Sequence, residues 1–152
     1  MNGAKAVISL LGPRPGEDSK VKPVTQGTQH IVAAIKKFDV RRLIVVSTPS
    51  ASSPNDLRDL KFKMMVSMIK TMMRPAYEEI VDVAQIVQDS GFDWTVVRVS
   101  FLNNNPKSGK VRVGYLGRGE VGVQISRADL AGFVLDELNN GKYIKQMPAI
   151  SN

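Results

Sequence analysis

Small hydroxyl side chains follow one apolar segment of the chain, and they are the residues best placed to do chemistry. Ser47 and Thr48 close the segment RLIVVST, and Ser50, Ser52 and Ser53 come directly after it. If that segment is a strand of a parallel sheet, these hydroxyls lie at its carboxyl end, where ligands bind in open α/β sheets. They could bond a carboxamide, a flavin edge or a phosphate there. Hydroxyl clusters are also ordinary in loops, so the residue types alone do not indicate a function. The position of Ser47 and Thr48 at the end of the segment is what favours a functional interpretation.

One formal GxGxxG pattern is present, formed by Gly117, Gly119 and Gly122. A dinucleotide-binding glycine loop must follow a strand and open a helix, because the amino terminus of the helix holds the pyrophosphate. The next residues, 123–125, have the pattern of a strand. We therefore predict a glycine-rich hairpin at this place and no phosphate loop.

Tyrosine-based acid chemistry is not supported by the spacing. In one common dehydrogenase arrangement a lysine follows a tyrosine by four residues and lowers the pKa of the phenol, which then exchanges a proton with a carbonyl. None of Tyr77, Tyr115 and Tyr143 has such a lysine. We therefore expect that the chain is not an alcohol dehydrogenase of that type. Hydride transfer to a ring that solvent then protonates would not need such a tyrosine.

Metal and histidine chemistry are also poorly supported. The chain has no cysteine and a single histidine, His30, so neither a thiolate site nor a histidine cluster can form. His30 is expected on the solvent face of a helix. We predict no metal site.

Methionines recur along a predicted helix over residues 57–74. Met64, Met68 and Met72 are four residues apart and therefore form one stripe on the helix. The pattern predicts a face packed into the core. The alternative is a flexible apolar surface that lines a pocket for a flat aromatic substrate or meets a partner chain.

Length and composition are those of one soluble domain over residues 1–152, with 43% hydrophobic residues. The net charge of +7 is scattered and lacks an aromatic stacking platform, so we expect a solvated surface and no nucleic-acid partner. No apolar stretch of about 18 residues and no leader peptide is evident. The composition predicts a cytoplasmic protein that does not bind membranes.

Strands and helices alternate in the predicted order, which is typical of an α/β fold. Buried parallel strands are expected at 6–11, 42–48 and 93–99, shorter strands around 110–115 and 121–126, and a last strand within 143–150. Helices are expected from Val24 to Phe38 and over 57–74, 76–89 and 127–138. Asn55 or Asp56 could cap the second helix. Ser126 with Asp129 resembles a capping box for the last, which Gly141 ends.

The chain resembles the atypical short-chain dehydrogenase/reductase group, which includes NmrA-like proteins and the biliverdin and flavin reductases. The resembling stretches, in order, are SLLGPRPG, GTQHIVAAIKKFDV, LIVVSTPSA, QDSGFDWTVVRVSFL and YLGRGEVGVQISRADLAGFVLDEL. Each motif alone has low specificity, but the motifs occur in the family's order and spacing, and together they cover most of the chain. The resemblance implies a three-layer αβα fold of Rossmann type with a mostly parallel sheet.

The resemblance also implies a nicotinamide cofactor across the carboxyl ends of the strands, with NADP the commoner choice and NAD the alternative. Leu11 and Gly12 would pass its ribose and pyrophosphate. Ser47 and Thr48 would lie near the nicotinamide, Thr48 matching the active-site serine of the reductases. The segment beside the carboxamide would comprise Arg98, Val99, Ser100 and Phe101. Two departures are Val99, where many relatives have proline, and the segment IVDVAQIVQ, where many NmrA-like relatives have a lysine.

Family members begin with a βαβ unit that carries a glycine loop, and the sequence does not show one. The resemblance therefore implies an N-terminally truncated domain, roughly the C-terminal two thirds to three quarters. In a sheet of order 3-2-1-4-5-6, the first strand here would be strand four and would expose a hydrophobic edge. We expect that edge to pair with another chain, as in a homo-oligomer, or with residues absent from this sequence.

The leading functional hypothesis is an NAD(P)-binding oxidoreductase domain in which hydride passes from NADPH to a flat small-molecule acceptor such as a flavin. Two alternatives stay open. One is a non-catalytic NAD(P) sensor of the NmrA type, which the missing tyrosine and lysine chemistry favours. The other is a truncated domain without cofactor affinity.

Overall fold

Strands and helices alternate along the chain as the sequence predicts. The computed structural model describes residues 3–13, 21–57 and 60–152. The helices among them are α1 (Pro23–Lys37), α2 (Leu60–Met72), α3 (Arg74–Asp89) and α4 (Arg127–Asn140). The strands are β1 (Ala6–Ser9), β2 (Arg42–Ser47), β3 (Asp93–Arg98), β4 (Phe101–Asn103), β5 (Arg112–Gly114), β6 (Gln124–Ser126) and β7 (Ala149–Ser151).

The main sheet has the strand order β1-β2-β3-β7-β5. Its first four strands are parallel, and β5 is antiparallel to β7. Strands β4 and β6 form a separate parallel pair. In the register of β2 and β3, Ser47 lies beside Arg98, so the carboxyl ends of these two strands meet at the same edge.

Helices cover both faces of the sheet. Leu43 and Val45 of β2 pack in one buried cluster with Ile35 of α1 and Val83 of α3. Ile44, which alternation directs to the opposite face, packs in a second cluster with residues of α4 that include Leu130 and Val134. This two-sided burial explains the continuous apolar character of β2 and confirms the three-layer Rossmann-type fold.

The three long predicted strands are all shorter in the structure, and strand β4 was not predicted. Strand β1 ends at Ser9 because Leu10 and Leu11 leave the ladder and are exposed by 69% and 48%. Strand β3 ends at Arg98, after which the chain starts β4 at Phe101.

The hairpin prediction for the glycine-rich segment is wrong. The flanking strands lie in different sheets, since β5 pairs with β7 and β6 pairs with β4. Gly117 has a φ of 79° and lies against the carbonyl of Leu57, where a side chain would not fit. The glycines therefore permit a turn against the loop after β2, and the strand that follows confirms that they do not open a helix.

The predicted core position of the methionine stripe is also wrong. Met64, Met68 and Met72 are exposed by 65%, 58% and 78%, and α2 packs mainly on α3. Helical spacing shows that three side chains share a face, but it does not show what covers that face. His30 is exposed, as predicted.

Strand β1 is an edge of the sheet within the described residues, because its ladder partner there is β2 alone. Ile8 of this strand is 37% exposed. No helix in the described part of the chain is long and apolar enough to cross a membrane.

The predicted capping box at the start of α4 is present and belongs to a larger network. The Ser126 hydroxyl accepts a hydrogen bond from the Asp129 backbone N–H and donates one to the Asp129 carboxylate. That buried carboxylate also accepts from the backbone N–H groups of Ser108 and Gly109 and from the Asn152 amide. Asp129 thus ties the loop before β5 and the end of β7 to α4.

We expect Asp129 to make the fold sensitive to acid. Hydrogen bonds, that from the Ser108 backbone foremost, hold the pKa of Asp129 far below its ordinary value of 3.8. The stabilisation is therefore complete above that ordinary value and is lost as the pH falls below it. The free energy of unfolding is measured with urea at several pH values between about 6 and about 3. It should fall more steeply with decreasing pH for the wild type than for Asp129→Asn. Parallel curves would contradict this assignment.

Candidate functional site

A cleft of about 570 Å³ lies at the carboxyl ends of β1, β2 and β3. All the predicted site residues except Arg98 line it, namely Leu11, Gly12, Ser47, Thr48, Val99, Ser100 and Phe101. They come from three separate parts of the sequence, and the parallel sheet brings them together because its strands all end at this edge.

Three hydroxyl groups line the cleft. Within the described residues, the half-buried Ser47 hydroxyl and the exposed Ser100 hydroxyl have no hydrogen-bond partner. Thr48 Oγ1 accepts a bond from the Ser50 backbone N–H at 3.3 Å, and the Thr48 carbonyl accepts from Ala51 at 3.1 Å. Since a hydroxyl can donate while it accepts, the Thr48 proton remains available to a ligand.

Arg98, unlike the other predicted site residues, does not line the cleft, and its side chain is fully buried. Its guanidinium donates two bonds to the Asp56 carboxylate, at 2.7 and 2.8 Å. It also donates to the carbonyls of Ala51 and Met147. Arg98 therefore holds the loop after β2, which begins with Thr48, against β3 and the segment before β7.

Asp56 completes this buried arrangement; the predicted cap of α2 by Asn55 or Asp56 involves residues 58 and 59, which lie outside the described part of the chain. The Asp56 carboxylate accepts from Arg98 and from the backbone N–H groups of Ser53 and Leu116. Burial acts to raise the pKa of Asp56, but the hydrogen bonds from Arg98, Ser53 and Leu116, together with the charge of Arg98, outweigh it and lower the pKa. The pair remains charged and fixes the loop.

Helices contribute cleft residues that the sequence prediction missed. Val24 comes from α1, Glu79, Ile80 and Val83 come from α3, and Arg127 opens α4. Glu79 lies four residues before Val83, a position on the inward stripe of α3. A carboxylate in an apolar stripe is the sequence signal that could have identified it.

The lining combines apolar walls with a few polar groups, which suits a flat aromatic ring that has one polar edge. Among the described lining residues there is no tyrosine, lysine or histidine to serve as a proton donor. No group of acidic or histidine side chains in the described part of the chain could hold a metal ion. The cleft can thus hold and orient a flat ring.

A family model described as NAD(P)H-binding matches residues 1–141. Among solved structures, the oxidoreductase ylbE from Lactococcus lactis superimposes with a TM-score of 0.74 at 18% identity, over 99% of this chain and 63% of that one. A short-chain dehydrogenase/reductase from Veillonella parvula in complex with NADP gives 0.71 at 15% identity, over 99% and 64%. A Rossmann-fold NAD(P)-binding family protein from Shigella flexneri gives 0.65 at 21% identity, over 99% and 61%.

These structural similarities show a shared fold. The chain spans a little less than two thirds of the length of these three solved chains. The family model covers most of the present sequence, including every residue of the cleft.

Proposed function

The chain belongs to the family of NAD(P)H-binding domains, and from this premise we propose that its cleft binds the nicotinamide end of NADPH beside a flat acceptor such as a flavin. The observation that carries the proposal is the convergence of the predicted cofactor residues on one cleft at the carboxyl ends of three parallel strands. The fold itself is that of an NAD(P)-binding oxidoreductase-like domain.

The lining fits a nicotinamide ring. Val46 and Val99 supply apolar surface for the faces of the ring, while Ser47 and Thr48 supply hydroxyls for its carboxamide. When bound, the cofactor supplies the hydride. The protein would orient the two rings and exclude water, and the net charge of +7 would attract the additional phosphate of NADP over NAD.

A non-catalytic NAD(P) sensor is the second candidate. It is favoured by the absence of a proton-donating tyrosine, lysine or histidine among the described cleft residues. Fluorescence titration with NADPH and NADH, followed by oxidation assays with FMN and a quinone, separates the two. Binding with turnover supports the reductase, binding without turnover supports the sensor, and no binding contradicts both.

Thr48→Ala should weaken NADPH binding about 3- to 10-fold, because the variant loses one hydrogen bond to the carboxamide. Thr48→Ser should keep near wild-type affinity, since it retains the hydroxyl. The measurement is the NADPH dissociation constant, with the melting temperature of each variant as the folding control. Equal affinity for all three proteins would remove Thr48 from the site.

A further inference from the structure

Glu79 is a buried carboxylate that the proposed function has not used. It is 1% exposed and lines the cleft from α3. Its Oε1 accepts hydrogen bonds from the backbone N–H groups of Val24 at 2.5 Å and Thr25 at 3.1 Å. Those groups belong to the first turn of α1, whose own N-cap residue, Lys22, makes no side-chain capping bond. Glu79 therefore caps α1 from a neighbouring helix.

The cap uses only one of the two carboxylate oxygens. Within the described residues, Oε2 of Glu79 takes part in no hydrogen bond, and no lysine or arginine lies within ion-pair distance of it. The Lys22 ammonium pairs with Asp82 at 2.6 Å instead. Oε2 is not among the fully buried side-chain atoms that lack a partner in the described part of the chain, as expected for an oxygen that meets the cleft. A carboxylate oxygen can only accept, so it would need a donor from a ligand there.

The rest of the cleft supplies hydrogen-bond donors. The hydroxyls of Ser47 and Thr48 can donate to a carbonyl, while Glu79 Oε2 can accept from an N–H. An amide or imide edge of a flat ring presents a carbonyl and an N–H side by side. Such an edge would satisfy both kinds of group in one cleft.

We propose that Glu79 selects the ligand of the cleft by accepting a hydrogen bond from the N–H of an amide or imide on a planar ring. The inference rests on the proposed function and names its ligand class. Two ligands of the proposed function carry such an N–H: the cofactor, in its nicotinamide carboxamide, and a flavin acceptor, in its ring imide.

Ligand substitution tests this on the unmodified protein. NADPH is compared with the reduced 3-acetylpyridine analogue, which replaces the carboxamide NH₂ by a methyl group. Lumiflavin is compared with 3-methyllumiflavin, which lacks the imide N–H. Binding of each is followed by its own fluorescence or by competition. Loss of the relevant N–H should weaken binding roughly tenfold or more in one of the two pairs, and that pair identifies the source.

Glu79→Gln provides the matching change in the protein. Its amide oxygen can still cap α1, but its NH₂ replaces the free acceptor by a donor. The variant should lose roughly tenfold or more in affinity for the N–H ligand and almost nothing for the methylated partner. Glu78→Gln is the control, because Glu78 is the adjacent, partly exposed carboxylate that pairs with Arg74 and does not line the cleft.

The outcomes separate the two proposals. If NADPH binds but neither ligand pair nor Glu79→Gln changes affinity, the role of Glu79 is wrong and the proposed function stands. If NADPH does not bind, the proposed function is wrong, and the lumiflavin pair still tests Glu79. If Glu79→Gln loses the same affinity for both members of each ligand pair, Glu79 does not recognise the N–H and acts only as a cap. That result would overturn the inference.

Discussion

Arg98→Met is expected to lower the free energy of unfolding by about 3–5 kcal/mol, because it leaves a buried carboxylate without its cation. The side chains of Arg98 and Asp56 are both 0% exposed and are joined by two hydrogen bonds. The variant also leaves the carbonyls of Ala51 and Met147 without their donor. Urea unfolding at neutral pH measures the change.

Two further variants show whether the charge or the volume is responsible. The double variant Arg98→Met with Asp56→Leu removes both charges, and it should recover much of the loss because an apolar pair can replace a buried ion pair. Arg74→Met breaks the ion pair with Glu78, in which Arg74 is 75% exposed, and should cost far less than Arg98→Met because solvent screens an exposed pair. A loss below about 1 kcal/mol for Arg98→Met alone would contradict the role assigned to the pair.

Ser47→Trp is expected to weaken NADPH binding about 100-fold, equivalent to about 2.8 kcal/mol, by filling the cleft. Ser47 ends β2, is half-buried and lines the cleft, so an indole there would take the volume proposed for the ring. The measurement is a titration that follows cofactor fluorescence.

The control is Ser67→Trp, which places the same bulky side chain on the exposed surface of α2, away from the cleft. It should bind NADPH like the wild type. Both variants need melting temperatures close to that of the wild type for the comparison to hold. Unchanged binding by a folded Ser47→Trp variant would exclude the cleft as the cofactor site.

The sequence predicted the strands that helices bury on both faces, β2 and β3, because burial on two sides imposes a continuous apolar run. It also predicted which segments meet in the cleft, since the ends of parallel strands share an edge. Both results follow from local pattern combined with a general rule of topology.

Other features depend on contacts between distant segments. The partner of β5 is β7, far along the chain, so the neighbouring glycines wrongly predicted a hairpin. The role of Glu79 requires the first turn of α1 to lie against α3, and the burial of Arg98 requires the loop that carries Asp56. No spacing within one segment contains that information.

The main proposal is that this chain holds a nicotinamide cofactor in the cleft at the carboxyl ends of β1, β2 and β3. Its most direct test is a fluorescence titration of the wild-type chain and of Ser47→Trp with NADPH. We expect saturable binding by the wild type and about 100-fold weaker binding by the variant. No saturable binding by the folded wild-type chain, or equal binding by both proteins, would contradict it.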